Sequence, residues 1–481
     1  MSKKDQKGIT ANKAEDFSEW YTQLIQKADL ADYSLVSGCI VYKPNSYAVW
    51  ENIQKEVDSR FKAIGIKNVY FPLFIPESLL QKEAEHIEHF APEVAWVTHG
   101  GDTKLSERLA VRPTSETIMY DSYSKWIRSY NDLPLRLNQW NNVVRWEFKH
   151  PTPFLRGREF LWNEGHTCFA TKEEAQKEGE QIIALYQEVC ENYLALPSLI
   201  GKKSEKEKFA GADYTISMEF LMPNGKCIQG PDFHHDGQNF SKVFDIAFTD
   251  KNGRKDYVWQ NTFAISTRML GVLFSVHGDD KGLVLPPKLA PFQIVIVPIL
   301  FEDSKKEVLA AANKLQKELS GKHSVFVDDR DNYSPGWKFN EWEIKGIPIR
   351  IEIGPNDLKK QQVMVIRRDL LSKKSISFNR ISKEMPEILS QIQDNLYQKA
   401  RKFLESSVIA VNTLKDAKKH LDSGKIIFAP WCGSSESEEK FKEETGAKSL
   451  NSPFKQPSVK GKKCFITGKP AKYWFYFGKS Y

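Results

Sequence analysis

The sequence predicts three domains in series: an α+β domain built on an antiparallel sheet with helices over residues 1–285, an α/β domain over 286–395, and a small α+β domain over 396–481. Three observations lead to this. Between Asp213 and Thr262, strand-length apolar runs are separated by Asn224-Gly225 and Asn252-Gly253, dipeptides that suit tight hairpin turns, so the strands they join run antiparallel. The Gly- and Pro-rich segment HGDDKGLVLPPKLAP interrupts the pattern near 283–291 and marks a boundary. Beyond it, strand and helix periodicities alternate, as in a compact α/β unit. A chain of 481 residues is long enough for three such cores.

The elements follow in order. Trp50, Ile53, Val57, Phe61 and Ile64 recur at three- and four-residue spacing, which predicts a helix from Asn45 ending at Gly65. Val69-Tyr70-Phe71 reads as a strand, and Pro72, lacking a ladder donor, places it at an edge or an interface. Arg145-Trp146-Glu147 alternates as a strand does, so Arg145 and Glu147 share a face. Strands follow at Tyr214 to Met218, Cys227 to Gln229, Val243 to Phe248 and Tyr257 to Trp259, then a buried helix from Arg268 through Phe274. In the second block, strands at Ile294 to Val297, Val325 to Val327, Ile347 to Ile353 and Val363 to Ile366 accompany a helix carrying Val308, Ala312, Leu315 and Leu319. A polar helix from Pro386 to about Ser407 leads into the basic tail, which holds Ile426-Ile427-Phe428 and a terminal WFYFGKSY.

Composition narrows the class. With 41% hydrophobic and 27% charged residues and a mean hydropathy of −0.49, the chain reads as soluble. No run approaches the roughly 18 apolar residues of a membrane span, and MSKKDQKGITANK lacks a secretory core, so a cytoplasmic address is expected. Six cysteines without a Cys-x-x-Cys pair point to free thiols. The formal charge of +7 is uneven, because residues 401–481 hold 16 Lys+Arg and 8 Asp+Glu. A polyanion such as nucleic acid fits that tail, as does simple solubilisation.

The chemistry concentrates in Val144 to His166, where Arg145, Arg156 and Arg158 lie among Trp146, Phe148, Phe154, Phe160 and Trp162. Guanidinium forks take phosphates and carboxylates, and aromatic faces take purines or small apolar groups. No GxxxxGK[ST] loop and no strand-linked GxGxxG is present, so arginines rather than a glycine-rich loop must hold phosphates. Arg112-Pro113-Thr114-Ser115-Glu116, Gln229 with His234-His235, and Ser266-Thr267-Arg268 supply further polar groups, Glu116 suited to an ammonium and Arg268 to a phosphate. Glu85-His86-Ile87-Glu88-His89 lacks the order of a metalloprotease helix and reads as a solvated face. Lys202 to Gly211 borders a nucleic-acid end or faces water, and the sequence leaves both open.

Together these pieces resemble the class II aminoacyl-tRNA synthetases, specifically the prolyl-tRNA synthetases of the archaeal and eukaryotic cytoplasmic type, from about Asp16 to Tyr481. Val69 to Pro72 is similar to the first class motif, Val144 to Glu164 to the second and Ser266 to Gly271 to the third; RPTSET, FLWNEGH, VDDRDNYSPGWKFNEWE and AKYWFYFGKSY match the prolyl branch. The resemblance implies a class II catalytic domain, an anticodon-binding α/β domain and a C-terminal domain of zinc-binding type, assembled as a homodimer. It implies that L-proline, ATP with Mg²⁺, and tRNA(Pro) are the partners. Arg145 and Arg268 would be the catalytic arginines. Proline would meet Thr114, Glu116 and Arg145, walled by Trp162, His166 and His234. ATP would meet Arg145, Glu147, Arg156, Phe160, Gln229, Ser266 and Arg268, with Gln229 able to touch its Mg²⁺. Glu341, Glu343 and Arg350 would read the anticodon.

The sequence also departs from that pattern. Of the family's zinc positions, Cys432 and Cys464 remain while Ser437 and Ile466 replace cysteines, so no structural zinc is expected. Pro231, Asp232, Phe233, Phe263, Ala264 and Gly157 stand where the family usually has other residues. An active proline–tRNA ligase and a tRNA-binding relative with weakened or lost activation therefore both remain open. No room is left for the editing insertion of bacterial-type relatives between the second motif and Ser266.

Overall fold

A seven-stranded sheet carries the first domain in this computed structural model, which describes residues 8–84, 93–148 and 150–481, so the Glu85 to His89 run lies outside the described residues. The strands are β1 (Lys67–Asn68), β2 (Leu135–Val144), β3 (Glu159–Phe169), β4 (Leu199–Lys202), β5 (Tyr214–Leu221), β6 (Cys227–Gly237) and β7 (Trp259–Ser266). Their spatial order is β1-β2-β3-β7-β6-β5-β4, antiparallel throughout except for the β1–β2 pair. Both Asn-Gly turns are hairpins, with Gly225 at φ +78° and Gly253 at φ +80°, values that a side chain strains.

One face of the sheet is covered by α1 (Pro44–Ala63), α3 (Lys172–Asn192) and α4 (Arg268–His277), while α2 (Glu116–Trp126) follows the RPTSE segment. On α1, Trp50, Ile53, Val57 and Phe61 are buried, as their spacing predicts, and Phe61 packs edge-on against Phe263 at 5.4 Å. Each such side chain contributes about 2 kcal/mol by leaving water. The backbone of β3 comes so close to the Phe263 ring that a Cβ on Gly165 would lie 2.0 Å from it.

Four local expectations are corrected. Val69 to Phe71 is not a strand: pairing stops at Asn68, and although the Val69 N–H still reaches Asn138 O, the Phe71 N–H goes to the Gln139 side chain. Strand β2 ends at Val144, so Arg145 to Glu147 is a turn; the Arg145 N–H still donates to Arg158 O across the sheet, and the Trp146 N–H then leaves it for Glu93 O. Val243 to Phe248 splits into a short helix, Asn239–Val243, and a strand, Ala247–Thr249, because Asp245 takes a left-handed φ of +52° that breaks any continuous strand. The helix expected from Pro386 begins at Phe378 and runs to Ser407, with Pro386 inside it. Burial of Ile381, Met385, Leu389 and Ile392 on one stripe outweighs the one backbone donor that proline lacks.

The second domain holds a five-stranded mixed sheet in the order Val325–Val327, Ile294–Pro298, Ile349–Ile353, Gln362–Arg367, Lys373–Ser377. Helix Lys305–Leu319 buries Val308, Ala312, Leu315 and Leu319 against it, as their spacing predicts. The long helix Phe378–Ser407 spans the 395/396 position and leads into a four-stranded C-terminal sheet. That last domain is pinned to the free edge of the catalytic sheet, where Lys202 and Ser452 exchange backbone hydrogen bonds of 2.9 and 2.7 Å. Among the described residues, no helix is long and apolar enough to cross a membrane.

Candidate active site

The uncovered face of the sheet opens into a cavity of about 640 Å³. Strand alternation and the turns at the strand ends bring Thr114, Glu116, Arg145, Glu147, Phe160, Trp162, Gln229, His234, Ser266 and Arg268 onto its wall. Ten of the expected residues, far apart in sequence, therefore share one space.

Its floor is a set of interlocked hydrogen bonds. Arg112, almost fully buried, clasps Asn142 O at 2.8 Å and Phe71 O at 2.9 Å, which fixes the segment leading to Thr114. Thr114 donates its hydroxyl to Glu116. Below them lies Glu164, whose carboxylate accepts from the Ser115 amide at 3.1 Å and from Gln139 and Asn141 at 2.9 and 2.6 Å, as well as from the Ser115 hydroxyl and the His166 ring. Burial pushes this carboxyl up, but His166 and the hydrogen bonds outweigh it and hold it below the usual range, so Glu164 is an anion. Glu164 closes the segment that resembles the second class motif, and the sequence assigns it no role. Only its position one residue from a glycine and two from a histidine in a β-strand could have signalled that it faces the same way as His166 and Trp162.

The cationic side is equally defined. The Arg145 guanidinium lies 5.4 Å from the Phe160 ring and 5.3 Å from Trp162, and donates to Pro113 O at 3.1 Å. Trp162 is held by its indole N–H on Asn141 at 2.7 Å, and meets Phe160 edge-on at 5.6 Å. Arg268 donates to Leu155 O and Gln229 O at 3.2 and 3.1 Å, while burial and the like charge of Arg145 lower its pKa. Two arginines held near each other by carbonyls are poised to receive a polyanion.

Two expected residues lie elsewhere. His166 is buried behind the wall, between the Tyr120 hydroxyl at 3.2 Å and Glu164 at 3.3 Å. Arg156 stacks over Phe148 at 5.0 Å and lines the adjoining space with Gln229, Arg268 and the terminal Tyr481. Lys203, Glu207 and Phe209, from the segment left open by sequence, line the main cavity, and Phe209 stacks on His234 at 4.6 Å. Burial lowers the His234 imidazole, leaving it neutral, with Nδ1 against Thr215 at 2.8 Å.

The departures sort by face. Phe233 and Phe263 are core side chains, Phe233 filling the space beside Gly179 and Phe263 that beside Gly165. Pro231 falls at a β-bulge where β5 and β6 change register between Ser217 and Glu219, a place that tolerates a missing donor. At Gly157 a Cβ would sit 3.1 and 3.2 Å from two backbone carbonyls. Only Asp232 and Ala264, direct cross-strand partners, present their side-chain positions to the cavity, and Asp232 accepts from Gln229 Nε2 at 2.6 Å.

In the second domain Glu341 is ion-paired with Arg330 and, at 2.7 Å, with Lys345; Arg350 is buried against Glu352 at 3.0 Å; Glu343 is partly exposed. In the third, the Cys432 thiol contacts Ser434, Ser437 and Thr467 hydroxyls at 3.5 to 3.7 Å.

Comparison with known proteins adds to this geometry. Residues 96–277 match the tRNA synthetase class II core domain (G, H, P, S and T), 293–388 the anticodon binding domain and 414–481 the prolyl-tRNA synthetase C-terminal domain. The proline–tRNA ligase of Alkaliphilus oremlandii is 52% identical over 467 residues, covering 97% of this chain and 96% of that protein. The chain belongs to the prolyl-tRNA synthetase family. The cytoplasmic proline–tRNA ligase of Arabidopsis thaliana is 49% identical over 98% of this chain and 91% of its own length. A crystal structure of the prolyl-tRNA synthetase from Cryptosporidium parvum, complexed with halofuginone and AMPPNP, superposes with a TM-score of 0.95 at 43% identity, covering 99% of this chain and all of that one. The class II core with its antiparallel sheet, the anticodon-binding domain and the C-terminal domain are thus the modules of a prolyl-tRNA synthetase.

Proposed function

We propose that the chain activates L-proline with ATP to prolyl-adenylate and transfers the prolyl group to tRNA(Pro). The observation that carries this is the union, in one cavity, of a carboxylate and a hydroxyl oxygen fit to accept from a secondary ammonium, Glu116 and Thr114, with two arginines and the Phe160 and Trp162 rings. Proline's ammonium meets Glu116 and Thr114, its carboxylate meets Arg145, and Trp162 and His234 border the ring; His166 acts from behind, by fixing Glu164. The purine stacks at Phe160 near Glu147, and Arg145, Arg268 and, from the adjoining space, Arg156 take the phosphates.

Activation forms a bond between the proline carboxylate and the α-phosphorus as the bond to the bridging oxygen of pyrophosphate breaks. The carboxylate is already ionised at neutral pH, so no base is needed, and the site works by positioning and charge neutralisation. Transfer forms an ester to the 3′-terminal ribose oxygen of tRNA; AMP departs and one proton is released. Gln229 and Asp232 supply adjacent oxygen donors of the kind that suit Mg²⁺, which would neutralise phosphate charge when bound. Glu343, with Glu341 and Arg350 once their internal pairs open, would read anticodon bases. The exposed Tyr70, Phe74 and Trp126 beside Pro72 support a homodimer contact there, and the likeness to the cytoplasmic proline–tRNA ligase of Arabidopsis thaliana supports a cytoplasmic compartment. Ser437 and Ile466 leave no four-ligand zinc site.

A second reading, a tRNA-binding relative with weak activation, is favoured by one observation: the Asp232 carboxylate faces the space assigned to phosphates. Proline-dependent exchange of pyrophosphate into ATP separates the two. Rapid exchange with purified protein supports the ligase, no exchange by folded protein leaves the second reading, and exchange with another amino acid alone would overturn both.

A further inference from the structure

The lysines of the C-terminal domain are segregated rather than scattered. Residues 401–445 balance 8 Lys+Arg against 8 Asp+Glu, whereas residues 446–481 hold 8 Lys and no acidic residue. A surface built only for solubility would mix the signs throughout. The acids of the first part are used within the protein, Glu444 pairing with Lys418 at 2.7 Å and Glu439 with Lys206. In the second part Lys448 and Lys479 reach Glu207 and Asp422. Lys455, Lys460, Lys462, Lys463, Lys469 and Lys472 are all exposed, and none of the ion pairs among the described residues involves them.

Five of these six lie on one hairpin. Lys463 bridges Pro470, and the backbone bonds Ala471 N–H to Lys462 O at 3.1 Å and Cys464 N–H to Lys469 O at 2.7 Å close it, with Cys464, Phe465 and Ile466 buried in the domain core. The chain on both sides of this hairpin is tied to the edge of the catalytic sheet, the Ser452 hydroxyl donating to Trp474 O at 2.9 Å. Ser452 pairs with Lys202, the neighbour of the cavity residue Lys203, and Asn451 donates to Leu199 O at 2.9 Å. Between Ser452 and the hairpin the Phe454 ring is 60% exposed. A closed hairpin with five lysines and no acidic residue is therefore joined to the segment that pairs beside the cavity residue Lys203.

We propose that the 460–472 hairpin is a docking surface for the duplex acceptor arm of tRNA, gripping its phosphate backbone while the single-stranded 3′ end reaches the cavity. The inference rests on the ligase reading for the reason an acceptor arm approaches at all. Lysine ammoniums are point charges without the planar fork that reads bases, and A-form RNA offers mainly shape and phosphates, so the contact is electrostatic and independent of sequence.

The test uses the full-length protein with Lys460, Lys462, Lys463 and Lys469 all changed to Ser, a companion with the same four changed to Arg, and two RNA probes: a minihelix of the acceptor and T arms ending in CCA, and an anticodon stem–loop. Minihelix affinity and the KM for tRNA should worsen at least about tenfold in the Ser variant, with the slope of log affinity against log salt reduced by about 2 to 4, and should recover in the Arg variant. Anticodon stem–loop binding and proline-dependent exchange should not change. Minihelix binding that is indifferent to the Ser changes, or equal losses for both RNAs in a variant that still exchanges, would overturn the proposal. If the Ser variant loses exchange through misfolding, Lys460→Ser and Lys463→Ser alone decide it, each expected to weaken the minihelix about two- to threefold. A wild-type protein without exchange would defeat the ligase reading, while minihelix binding would still judge the hairpin.

Discussion

Glu164→Gln probes how the proline site is held without touching proline. In the wild type, Oε1 accepts from the Ser115 hydroxyl, Gln139 and Asn141, and Oε2 from the Ser115 amide and His166. A glutamine must turn its NH₂ toward one of these sets. The less costly choice faces Oε2, where His166 can change tautomer and accept, but the Ser115 N–H cannot. One buried donor is then unpaired, costing about 1–3 kcal/mol, and the remaining hydrogen bonds lose their charge assistance, for a total of about 2–4 kcal/mol. Ser115 precedes the first residue of α2, Glu116, and follows Thr114, so relaxation displaces the pair proposed to meet the ammonium. If half of the cost appears there, the KM for proline rises about 5- to 30-fold while the KM for ATP moves less than about threefold. The assay is pyrophosphate exchange with each substrate varied in turn. Equal rises for both substrates, or an unchanged proline KM, would refute the reasoning. Because the folded-state pKa of Glu164 is depressed, its stabilising contribution is present above the unfolded value near 4.3 and is lost as pH falls below it.

Arg145→Lys keeps the charge but loses the planar fork between Phe160 and Trp162; exchange should fall about 100-fold, and a loss under fivefold would show that charge alone suffices. Asp232→Asn removes a negative charge from the phosphate side and should lower the KM for ATP about three- to tenfold at limiting Mg²⁺, an effect that saturating Mg²⁺ should erase. Burial lowers the His277 imidazole to about 4 while Nε2 donates to Leu194 O at 2.8 Å, so its contribution is complete above about pH 6.5 and declines as pH falls from there toward 4. Urea midpoints at pH 7.5 and 5 should differ more in the wild type than in His277→Gln. Metal analysis of purified protein should find far less than one zinc per chain, and a full equivalent would overturn the reading of Ser437 and Ile466 as lost ligands.

Local chemistry made much of this protein legible. The Asn-Gly turns set antiparallel pairing because only certain residues adopt positive φ cheaply, and the spacing of Trp50, Ile53, Val57 and Phe61 chose the buried face of α1. Where tertiary packing competed with local signals, the signals failed. Pro386 looked like a helix start, but the stripe from Ile381 to Ile392 carried the helix eight residues upstream, and β2 ended before Arg145 because the Trp146 N–H leaves the sheet for Glu93 O.

The sequence by itself determined the residue types of the site, since carboxylate, guanidinium and aromatic groups are chemical identities that folding does not alter. Only the tertiary structure decided which of them face the same space. It placed His166 behind the wall, made Glu164 the anchor of Ser115, sent Phe233 and Phe263 into the core, and left Asp232 and Ala264 as the departures that face the cavity. It also tied the segment leading to the lysine hairpin to the edge of the catalytic sheet, through a pairing between residues 202 and 452. Such placements depend on contacts between segments distant in the chain, and the energy of a long-range contact leaves no periodic mark in either segment alone.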